Sequence, residues 1–328
     1  MDKMQNKLVV GFIAYGESSA KYLPYFMESL KNQIYKDFQI ICHDNSEEAV
    51  NPNYDYLRQN YPQVKILRAG GNLGFAKAFN VLIKTALEQK ADYFFALNPD
   101  MILEPEAIEK LINALDGDSA LGSAGPLVLK WNFTEQKKTD IIDTCGIGIL
   151  AGLRFVDVAQ GQLNRQWPVY TKILGPSGAA ALYRVSALEA VKQGEEYFDE
   201  LMFMYKEDCD LAYRLSLAGF KSVFVPNAAI YHDRTATAKG ENDLQVALNR
   251  KNKNRQVKRW SFLNQQIIFV KYWRLQSWKN KSAIVWFELK MLVFILLFER
   301  YLLAELGGLK KLCPKIKKYD KKDLRFKI

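Results

Sequence analysis

The chain has 328 residues, of which 49% are hydrophobic and 25% are charged, so it has the composition of an ordinary globular protein. This length accommodates one large domain with an appendage, or two domains. The four cysteines lie far apart and form no Cys-x-x-Cys pair, which argues against a zinc or disulfide framework and indicates reduced thiols in a cytoplasmic protein. The apolar start at residues 8–15 lacks the cleavage-type segment of a signal peptide and predicts a first strand.

The formal net charge of +10 is distributed unevenly along the chain. Residues 1–249 contain 25 basic and 31 acidic residues, a net charge of −6. Residues 250–328 contain 21 basic and 5 acidic residues, a net charge of +16. A mildly acidic body with a strongly basic C-terminal region predicts an anionic partner, either a membrane or a nucleic acid.

Strands and helices alternate over the first 130 residues, because apolar runs typical of buried strands are separated by stretches with helical apolar spacing. The predicted strands cover residues 7–15, 38–42, 64–67 and 93–97, and the predicted helices cover residues 19–32, 76–87 and 105–115. This alternation predicts an α/β fold with a mostly parallel sheet that is covered by helices on both faces.

From about residue 120 the pattern changes to short β-like stretches interrupted by glycine. The predicted elements are β-like stretches at 124–130 and 145–155, a helix at 208–217, and strands at 221–225 and 229–232. After Gly240 the chain becomes helical and basic. We therefore predict one domain over residues 1–240 and a helical, basic C-terminal region over residues 241–328.

The C-terminal region contains a strongly apolar segment at residues 282–306. Its longest uncharged stretch, residues 291–298, is too short to span a bilayer, which requires about 20 apolar residues. The segment therefore predicts an amphipathic helix that lies on a membrane surface or packs against the body. Aromatic residues at helical spacing beside long aliphatic runs favour lipid or the protein's own core over nucleic acid.

Two polar segments follow predicted strands in the first half of the chain. Asp44, in Asp44-Asn45-Ser46, can accept hydrogen bonds from a base or a ribose, and an Asx-type turn is the alternative. Asn72, Gly74 and Phe75 lead into a helix that contains Asn80. The N-terminus of that helix can attract a phosphate, and an ordinary helix cap is the alternative. Neither the dinucleotide fingerprint nor the Gly-x-x-x-x-Gly-Lys phosphate loop is present.

Asn98-Pro99-Asp100 follows the buried run of residues 93–97. Ligands of open α/β sheets bind outside the carboxyl ends of the strands, which is where Asp100 is expected. Asp100 can bind Mg²⁺ or Mn²⁺ that bridges a diphosphate, with Asn98 orienting it, and the alternative is a simple turn.

The second acidic segment is Glu207-Asp208-Cys209-Asp210, at the start of a predicted helix. Crowding of like charges raises the pKa of one carboxyl and creates a candidate general base. Arg214 lies one turn after Asp210 and can pair with it. The alternative is that acidic residues in a first turn only complement the helix dipole.

His232 ends a short predicted strand and is one of two histidines in the chain. An imidazole with carboxylate and phosphate oxygens suits Mn²⁺, whereas the alternative is an ordinary surface or core histidine.

Taken in this order, the motifs resemble the inverting family 2 glycosyltransferases, and more closely their bacterial rhamnosyltransferase-like branch, over roughly residues 7–235. The resemblance implies a GT-A fold, a nucleotide-diphosphosugar donor and a divalent metal, Mg²⁺ or Mn²⁺. It assigns Asp208 to the catalytic base, and Asp100 and His232 to the metal. It implies donor contacts for Asp44, Asn72, Gly74, Phe75, Asn80, Asn98 and Gly178, and acceptor contacts for Glu207, Asp210 and Arg214. Asn98 departs from the Asp that many members carry at this position.

These observations predict an inverting glycosyltransferase that acts on a bacterial cell-surface polysaccharide or its lipid-linked precursor. The donor implied by the branch is dTDP-rhamnose, with UDP-sugars as alternatives. We expect a cytoplasmic protein, peripheral on the inner face of an anionic cell membrane, with no nucleic-acid partner and with a homo-oligomer as a further option. The competing hypothesis is a non-catalytic membrane- or nucleic-acid-binding protein on a glycosyltransferase scaffold. A nucleotidyltransferase is disfavoured because the expected Gly-rich N-terminal loop is missing.

Overall fold

The computed structural model of the protein describes residues 7–48, 50–166, 172–234 and 254–320. Within these ranges, nine strands form one sheet, and two further strands form a separate hairpin. The sheet strands are β1 (Leu8–Ala14), β2 (Phe38–Asp44), β3 (Lys65–Arg68), β4 (Tyr93–Leu97), β5 (Met101–Leu103), β6 (Leu121–Asn132), β7 (Lys137–Thr144), β10 (Ala180–Arg184) and β11 (Lys221–His232). The hairpin strands are β8 (Ile147–Leu150) and β9 (Arg154–Asp157).

The strand order in the sheet is β3-β2-β1-β4-β10-β6-β11-β5, and β7 pairs with β6. The first four strands in this order are parallel to one another, β10 is antiparallel to both of its neighbours, and β11 is parallel to β6. The prediction of a mostly parallel sheet is therefore confirmed. Because β1, β2 and β4 are parallel, their carboxyl ends lie side by side at one edge, where the segments after residues 14, 44 and 97 meet.

Helices cover both faces of this sheet, as predicted. In the body they are α1 (Gly16–Ala20), α2 (Leu23–Lys31), α3 (Pro52–Asn60), α4 (Gly74–Glu88), α5 (Ala107–Asp116), α6 (Val185–Val191) and α7 (Glu207–Leu217). The C-terminal region contributes α8 (Arg255–Tyr272), α9 (Trp278–Phe298) and α10 (Leu303–Leu312). In the described part of the chain, no helix is both long enough and apolar enough to cross a membrane. The predicted domain boundary at residue 240 lies outside the described residues.

The structure differs from the predicted elements in several places. The helix predicted over residues 19–32 is split into α1 and α2, because Pro24 occupies the first turn of a new helix, where its missing N–H costs nothing. The strands predicted at 221–225 and 229–232 are one strand, β11, with a shift in register after Val225. Helix α3 was not predicted because it has few apolar residues. It is defined by its cap, in which Asn51 accepts hydrogen bonds from the backbone N–H groups of Asn53 and Tyr54, both at 3.1 Å.

The core has two layers because successive side chains of a strand point to opposite faces of the sheet. In β1, Phe12 packs with α2 and α5 on one face, and Val9 packs with α4 and α7 on the other. Gly11 lies on the same face as Val9, where a Cβ atom would come within 2.6 Å of the Phe94 ring. Glycine at this position therefore leaves room for the Phe94 side chain against β1.

Candidate active site

A cleft of about 940 Å³ lies at the carboxyl ends of β1, β2 and β4. This is the position expected for a ligand site in an open α/β sheet. Of the residues predicted to be functional, nine line it: Asn72, Gly74, Phe75, Asn98, Asp100, Gly178, Glu207, Asp208 and His232. The sequence motifs that lie far apart along the chain thus come together around one cavity.

Gly74 brings two of these motifs into contact. Its φ of +75° is in the left-handed region, and a Cβ atom there would lie 2.5 Å from the carbonyl oxygen of Phe203. The Phe75 N–H donates to this same oxygen at 2.8 Å. Asn72 accepts a hydrogen bond from the Gly74 N–H at 2.8 Å. The start of α4 is therefore fixed against the loop that precedes α7.

Asp44 is buried behind the cleft wall. Its carboxylate accepts hydrogen bonds from the Ser46 N–H at 3.0 Å and the Asn51 amide at 2.9 Å, and it lies 3.1 Å from Arg68 Nε. These contacts hold the loop after β2 in place. The next residue, Asn45, lines the cleft. The nucleoside contact predicted for Asp44 stays a prediction, whereas its observed contacts are structural.

Asn80 and Arg214 also lie away from the cleft. The Asn80 side chain accepts from the N–H groups of Tyr197 (3.1 Å) and Phe198 (2.8 Å), and it donates to the Phe198 carbonyl oxygen at 2.8 Å. Arg214 donates to buried Asp210 at 2.8 Å and to the carbonyl oxygen of Val191 at 2.7 Å. The structure therefore gives Asn80, Asp210 and Arg214 internal partners, and the ligand contacts predicted for them stay predictions.

Asp210 belongs to a buried charge cluster that joins the body to α8. Lys271 Nζ lies 2.7 Å from Asp210 and 2.6 Å from Asp199, and the Tyr272 hydroxyl donates to Asp210 at 2.7 Å. Burial by itself would raise the pKa of Asp210, but the charges of Lys271 and Arg214 outweigh it and lower the pKa to about 2. The sequence predicted the pairing with Arg214 and gave no signal for Lys271.

His232 lies between two carboxylates. Its Nε2 is 3.3 Å from Asp100 Oδ1, and its Nδ1 is 2.9 Å from Asp143 Oδ2. Antiparallel pairing of β5 with β11 places His232 opposite Met101, which explains its contact with the adjacent Asp100. Burial favours the neutral imidazole, but the Asp100 charge and the hydrogen bonds to both carboxylates raise the pKa of His232 to about 9.

Asp143 and Asp157 come from a segment that contained no recognisable motif. Asp143, near the end of β7, is fully buried, and Arg234 Nη1 lies 3.6 Å from it and 2.9 Å from Asp157. Burial raises the pKa of Asp157 in spite of this pairing. A buried carboxylate on Nδ1 fixes the orientation and tautomer of an imidazole, so Asp143 is placed to direct Nε2 of His232 toward Asp100.

Asp100 and His232 supply only part of the ligand set that a divalent cation requires. Within the described residues, no cluster of three or more His, Cys, Asp or Glu side chains is arranged to hold a metal ion. Mg²⁺ is commonly bound by one or two carboxylates together with substrate phosphates, and an imidazole is a good ligand for Mn²⁺. The donor set therefore suits a cation whose remaining ligands come from the substrate and from water.

Asp208 is held by backbone N–H groups at the start of α7. One carboxylate oxygen accepts from the Gly178 N–H at 2.9 Å, and the other accepts from the Cys209 N–H at 2.8 Å. A Cβ atom at Gly178 would lie 3.0 Å from the Asp208 Cβ, so glycine allows this approach. Each carboxylate oxygen has a second lone pair, which leaves Asp208 able to accept another proton donor.

The crowding predicted for the acidic segment acts on Glu207. This side chain is 4% exposed, and burial together with the neighbouring Asp208 charge raises its pKa well above the usual value. Burial therefore favours the neutral form of Glu207.

The loop before α7 has strained backbone that α8 holds in place. Tyr205 and Lys206 have φ values of 74° and 68°, which are unfavourable for residues with a side chain. The Asn264 amide of α8 donates to the carbonyl oxygens of Met204 at 2.9 Å and Tyr205 at 2.7 Å. Trp260, also on α8, packs on Phe203 with ring centroids 5.0 Å apart and forms part of the cleft wall. The C-terminal region thus completes the site.

Comparisons with known proteins agree with the family resemblance that the motifs indicated. The sequence model of Glycosyl transferase family 2 matches residues 10–192, and that of Glycosyl transferase family group 2 matches residues 153–306. An N-acetylglucosaminyl-diphospho-decaprenol L-rhamnosyltransferase of Mycobacterium tuberculosis is 28% identical over 240 residues, which cover 69% of this chain and 76% of that protein. Rhamnosyltransferase WbbL of Escherichia coli is 24% identical over 213 residues, which cover 62% of this chain and 76% of that protein.

The fold is shared with more distant proteins. A crystal structure of GalNAc-T7 with UDP, GalNAc and Mn²⁺ superposes with a TM-score of 0.59 at 13% identity, and the match covers 86% of this chain and 50% of that one. The first family model covers more than half of the chain, and the sheet and the helices that flank it are consistent with the GT-A fold. The chain belongs to glycosyl transferase family 2 and is a glycosyltransferase.

Proposed function

We propose that the protein is an inverting glycosyltransferase that moves a sugar from a nucleotide-diphosphosugar to a hydroxyl group of a lipid-linked glycan precursor of a bacterial cell-surface polysaccharide. The observation that carries this proposal is that Asp208 and the pair Asp100–His232 line one cleft. The names of the two rhamnosyltransferase relatives make rhamnose the first donor sugar to test, and that of the mycobacterial relative favours a lipid-linked acceptor. UDP-sugars are the second class of donor.

In this proposal, Asp100 and His232 hold Mg²⁺ or Mn²⁺. The bound cation would neutralise negative charge on the departing nucleoside diphosphate. Asn98 and Gly178 line the same cleft as this pair, and Asn72, Gly74 and Phe75 lie at the start of α4. We assign these five residues to the donor.

Asp208 acts as the general base. It removes the proton from the acceptor hydroxyl, whose oxygen forms a bond to the anomeric carbon while the bond from that carbon to the diphosphate oxygen breaks. In-line displacement at that carbon inverts its configuration. The Gly178 and Cys209 N–H groups keep the carboxylate in one orientation, so no reorganisation is needed before proton transfer. Phe203 and Trp260 provide an aromatic wall for the acceptor.

The test is a transfer assay with purified full-length protein. It would be incubated with dTDP-rhamnose or a UDP-sugar, with Mn²⁺ or Mg²⁺, and with a synthetic polyprenyl-diphosphate sugar as acceptor. Mass spectrometry should show the acceptor heavier by one sugar residue, and NMR should show the inverted anomeric configuration. Release of nucleoside diphosphate that does not depend on acceptor, with no glycosylated product, would contradict the proposal.

Asp143→Asn should weaken Mn²⁺ binding by roughly 10–100-fold, because residues that orient a metal-bound histidine have effects of that size. The change keeps the shape of the side chain but removes the charge that holds the Nδ1 proton of His232. Electron paramagnetic resonance of free Mn²⁺ in the presence of nucleoside diphosphate measures this directly. Asp140→Asn is the matched control, because Asp140 lies exposed on the same strand. Equal Mn²⁺ affinity in the two variants would show that Asp143 does not support a metal ligand.

We also propose that the enzyme works in the cytoplasm at the inner face of the cell membrane. The basic charge of residues 250–328 supports attraction to anionic lipid, at about 1 kcal/mol for each Lys or Arg near the surface. A lipid-linked acceptor would be reached from this position.

A further inference from the structure

Helix α9 carries large apolar side chains on the side that faces away from the body. Ile284 and Ile295, three turns apart, are buried against the rest of the protein. On the opposite side, six apolar side chains are 45–66% exposed: Val285, Trp286, Leu289, Val293, Leu296 and Leu297. Their spacing forms one continuous stripe along the helix. The outward side of a surface helix is normally polar, so this stripe is an apolar surface without a partner among the described residues.

The β8–β9 hairpin extends this surface toward the cleft. Its turn is fixed to the first turns of α9, because the Gly152 N–H donates to the Asn280 side chain at 2.6 Å. At the end of β8, Ile149 and Leu150 are 40% and 45% exposed. On β9, Val156 is 39% exposed and also lines the cleft. Exposed apolar side chains therefore run from α9, through the hairpin, to the cleft wall.

The charge of the C-terminal region favours an anionic bilayer as the partner of this surface. Residues 254–320 contain 14 basic and 4 acidic residues. Exposed lysines follow α9 closely in the chain, including Lys310 and Lys311 at the end of α10. A second copy of the chain docked on this face would bring another strongly basic region to it, and like charges across an interface are unfavourable. An anionic bilayer offers acyl chains to the stripe and negative headgroups to the lysines.

We propose that the outward stripe of α9 and the hairpin residues Ile149 and Leu150 form a lipid-docking surface that rests on an anionic bilayer with the cleft beside it. This inference rests on the proposed function only for its purpose, which is to let a lipid-linked acceptor reach Asp208 without leaving the membrane. The docking itself requires neither donor nor acceptor. The proposal also specifies which side of α9 contacts lipid. The side that carries Ile284 and Ile295 stays packed against the body, so the opposite side faces the membrane.

The experiment is vesicle co-sedimentation of the full chain without substrates. Vesicles of phosphatidylcholine, with and without phosphatidylglycerol, are used over a salt series. Wild type should bind the anionic vesicles and lose affinity as salt rises. Leu289→Glu/Val293→Glu should lower the vesicle partition coefficient by about tenfold or more, because two apolar side chains no longer enter the lipid. Leu150→Glu tests the hairpin in the same way.

Ile34→Glu is the matched control, because Ile34 is 52% exposed but lies in the body, between α2 and β2. It should bind vesicles as wild type does. Circular dichroism and thermal midpoints establish that the variants are folded. In a second measurement, dibrominated lipid should quench the tryptophan fluorescence of the wild type, and Trp286→Phe should remove part of that quenching.

Wild type that stays in the supernatant with and without phosphatidylglycerol would overturn the proposal. Unchanged binding by Leu289→Glu/Val293→Glu would overturn it as well. A dimer in light scattering that these two substitutions dissociate, without vesicle binding by wild type, would assign the stripe to a second copy. Vesicle binding without any sugar transfer would support the docking surface and contradict the proposed function, so the two failures are distinguishable.

Discussion

Asp208→Asn is expected to lose most sugar-transfer activity, by about 10²–10⁴-fold, while donor binding stays close to wild type. The amide oxygen can still accept one of the two backbone hydrogen bonds that hold this side chain, so the start of α7 keeps its structure. The amide cannot take a proton from the acceptor hydroxyl. The measurement is kcat/KM for transfer, with nucleoside diphosphate affinity measured by calorimetry on the same protein.

Glu207→Gln discriminates between the two adjacent carboxyls. Because burial raises the pKa of Glu207 and so favours its neutral form, an amide of the same shape should retain far more activity than Asp208→Asn. Full turnover by Asp208→Asn, together with loss of turnover by Glu207→Gln, would move the base to Glu207. A fall in donor affinity that accounts for the whole effect would remove Asp208 from proton transfer altogether.

Lys271→Met is expected to destabilise the fold by about 3–5 kcal/mol, which is the usual cost of breaking a buried ion pair by removing one partner. Lys271 is fully buried and lies within 2.7 Å of both Asp199 and Asp210, so the substitution leaves two buried carboxylates without the cation that they share. Methionine fills most of the same volume, which separates loss of charge from loss of packing. The free energy of unfolding comes from denaturant titration followed by circular dichroism.

Adding Asp199→Asn to Lys271→Met should recover part of this loss, because one unpaired carboxylate is then removed. Additive losses in the double variant would show that the two residues do not interact. A loss below about 1 kcal/mol in Lys271→Met alone would place the cluster in contact with water.

The same cluster predicts how stability depends on pH. The pKa of Asp210 in the folded protein is about 2, below its ordinary value of 3.8, so the ionised carboxylate stabilises the fold above about pH 4. That contribution is lost as the pH falls from 4 toward 2. In Lys271→Met the pKa of Asp210 should be higher and closer to its ordinary value, so less stability should be lost over this pH range. Unfolding free energies of the two proteins between pH 6 and pH 2.5 test this, and parallel curves would contradict it.

The sequence predicted the parallel half of the sheet well, because each of its strands is a short apolar run with polar residues at both ends. The range predicted for residues 93–97 coincides with β4. Asp100 was predicted at a strand end for the same reason. Local patterns could not predict Asp143 or Asn264, since their roles depend on segments that meet only in three dimensions. Asp143 on β7 meets His232 on β11, and Asn264 on α8 meets the loop before α7.

The sequence also could not predict which individual side chains are buried. Asp208 and Asp210 are two residues apart in one acidic segment, yet one lines the cleft and the other is fully enclosed. Their different environments follow from helix geometry, because residues at i and i+2 lie on nearly opposite sides of a helix. The sequence also left open whether the apolar C-terminal segment lies on a membrane surface or packs against the body, because this choice too depends on burial. The structure places α8 against the body and leaves one side of α9 exposed.

The contacts of α8 have a consequence for the order in which the protein matures. Translation proceeds from the N-terminus, so every residue that lines the cleft in the body leaves the ribosome before Asn264 and Lys271 do. Until these two arrive, the strained turn at Tyr205 has no side-chain amide on its carbonyl oxygen, and Asp210 has only one of its two cations. Nascent chains that stop short of α8 therefore lack the contacts that fix the loop before α7, and they gain these contacts only with the helix that leads directly to α9.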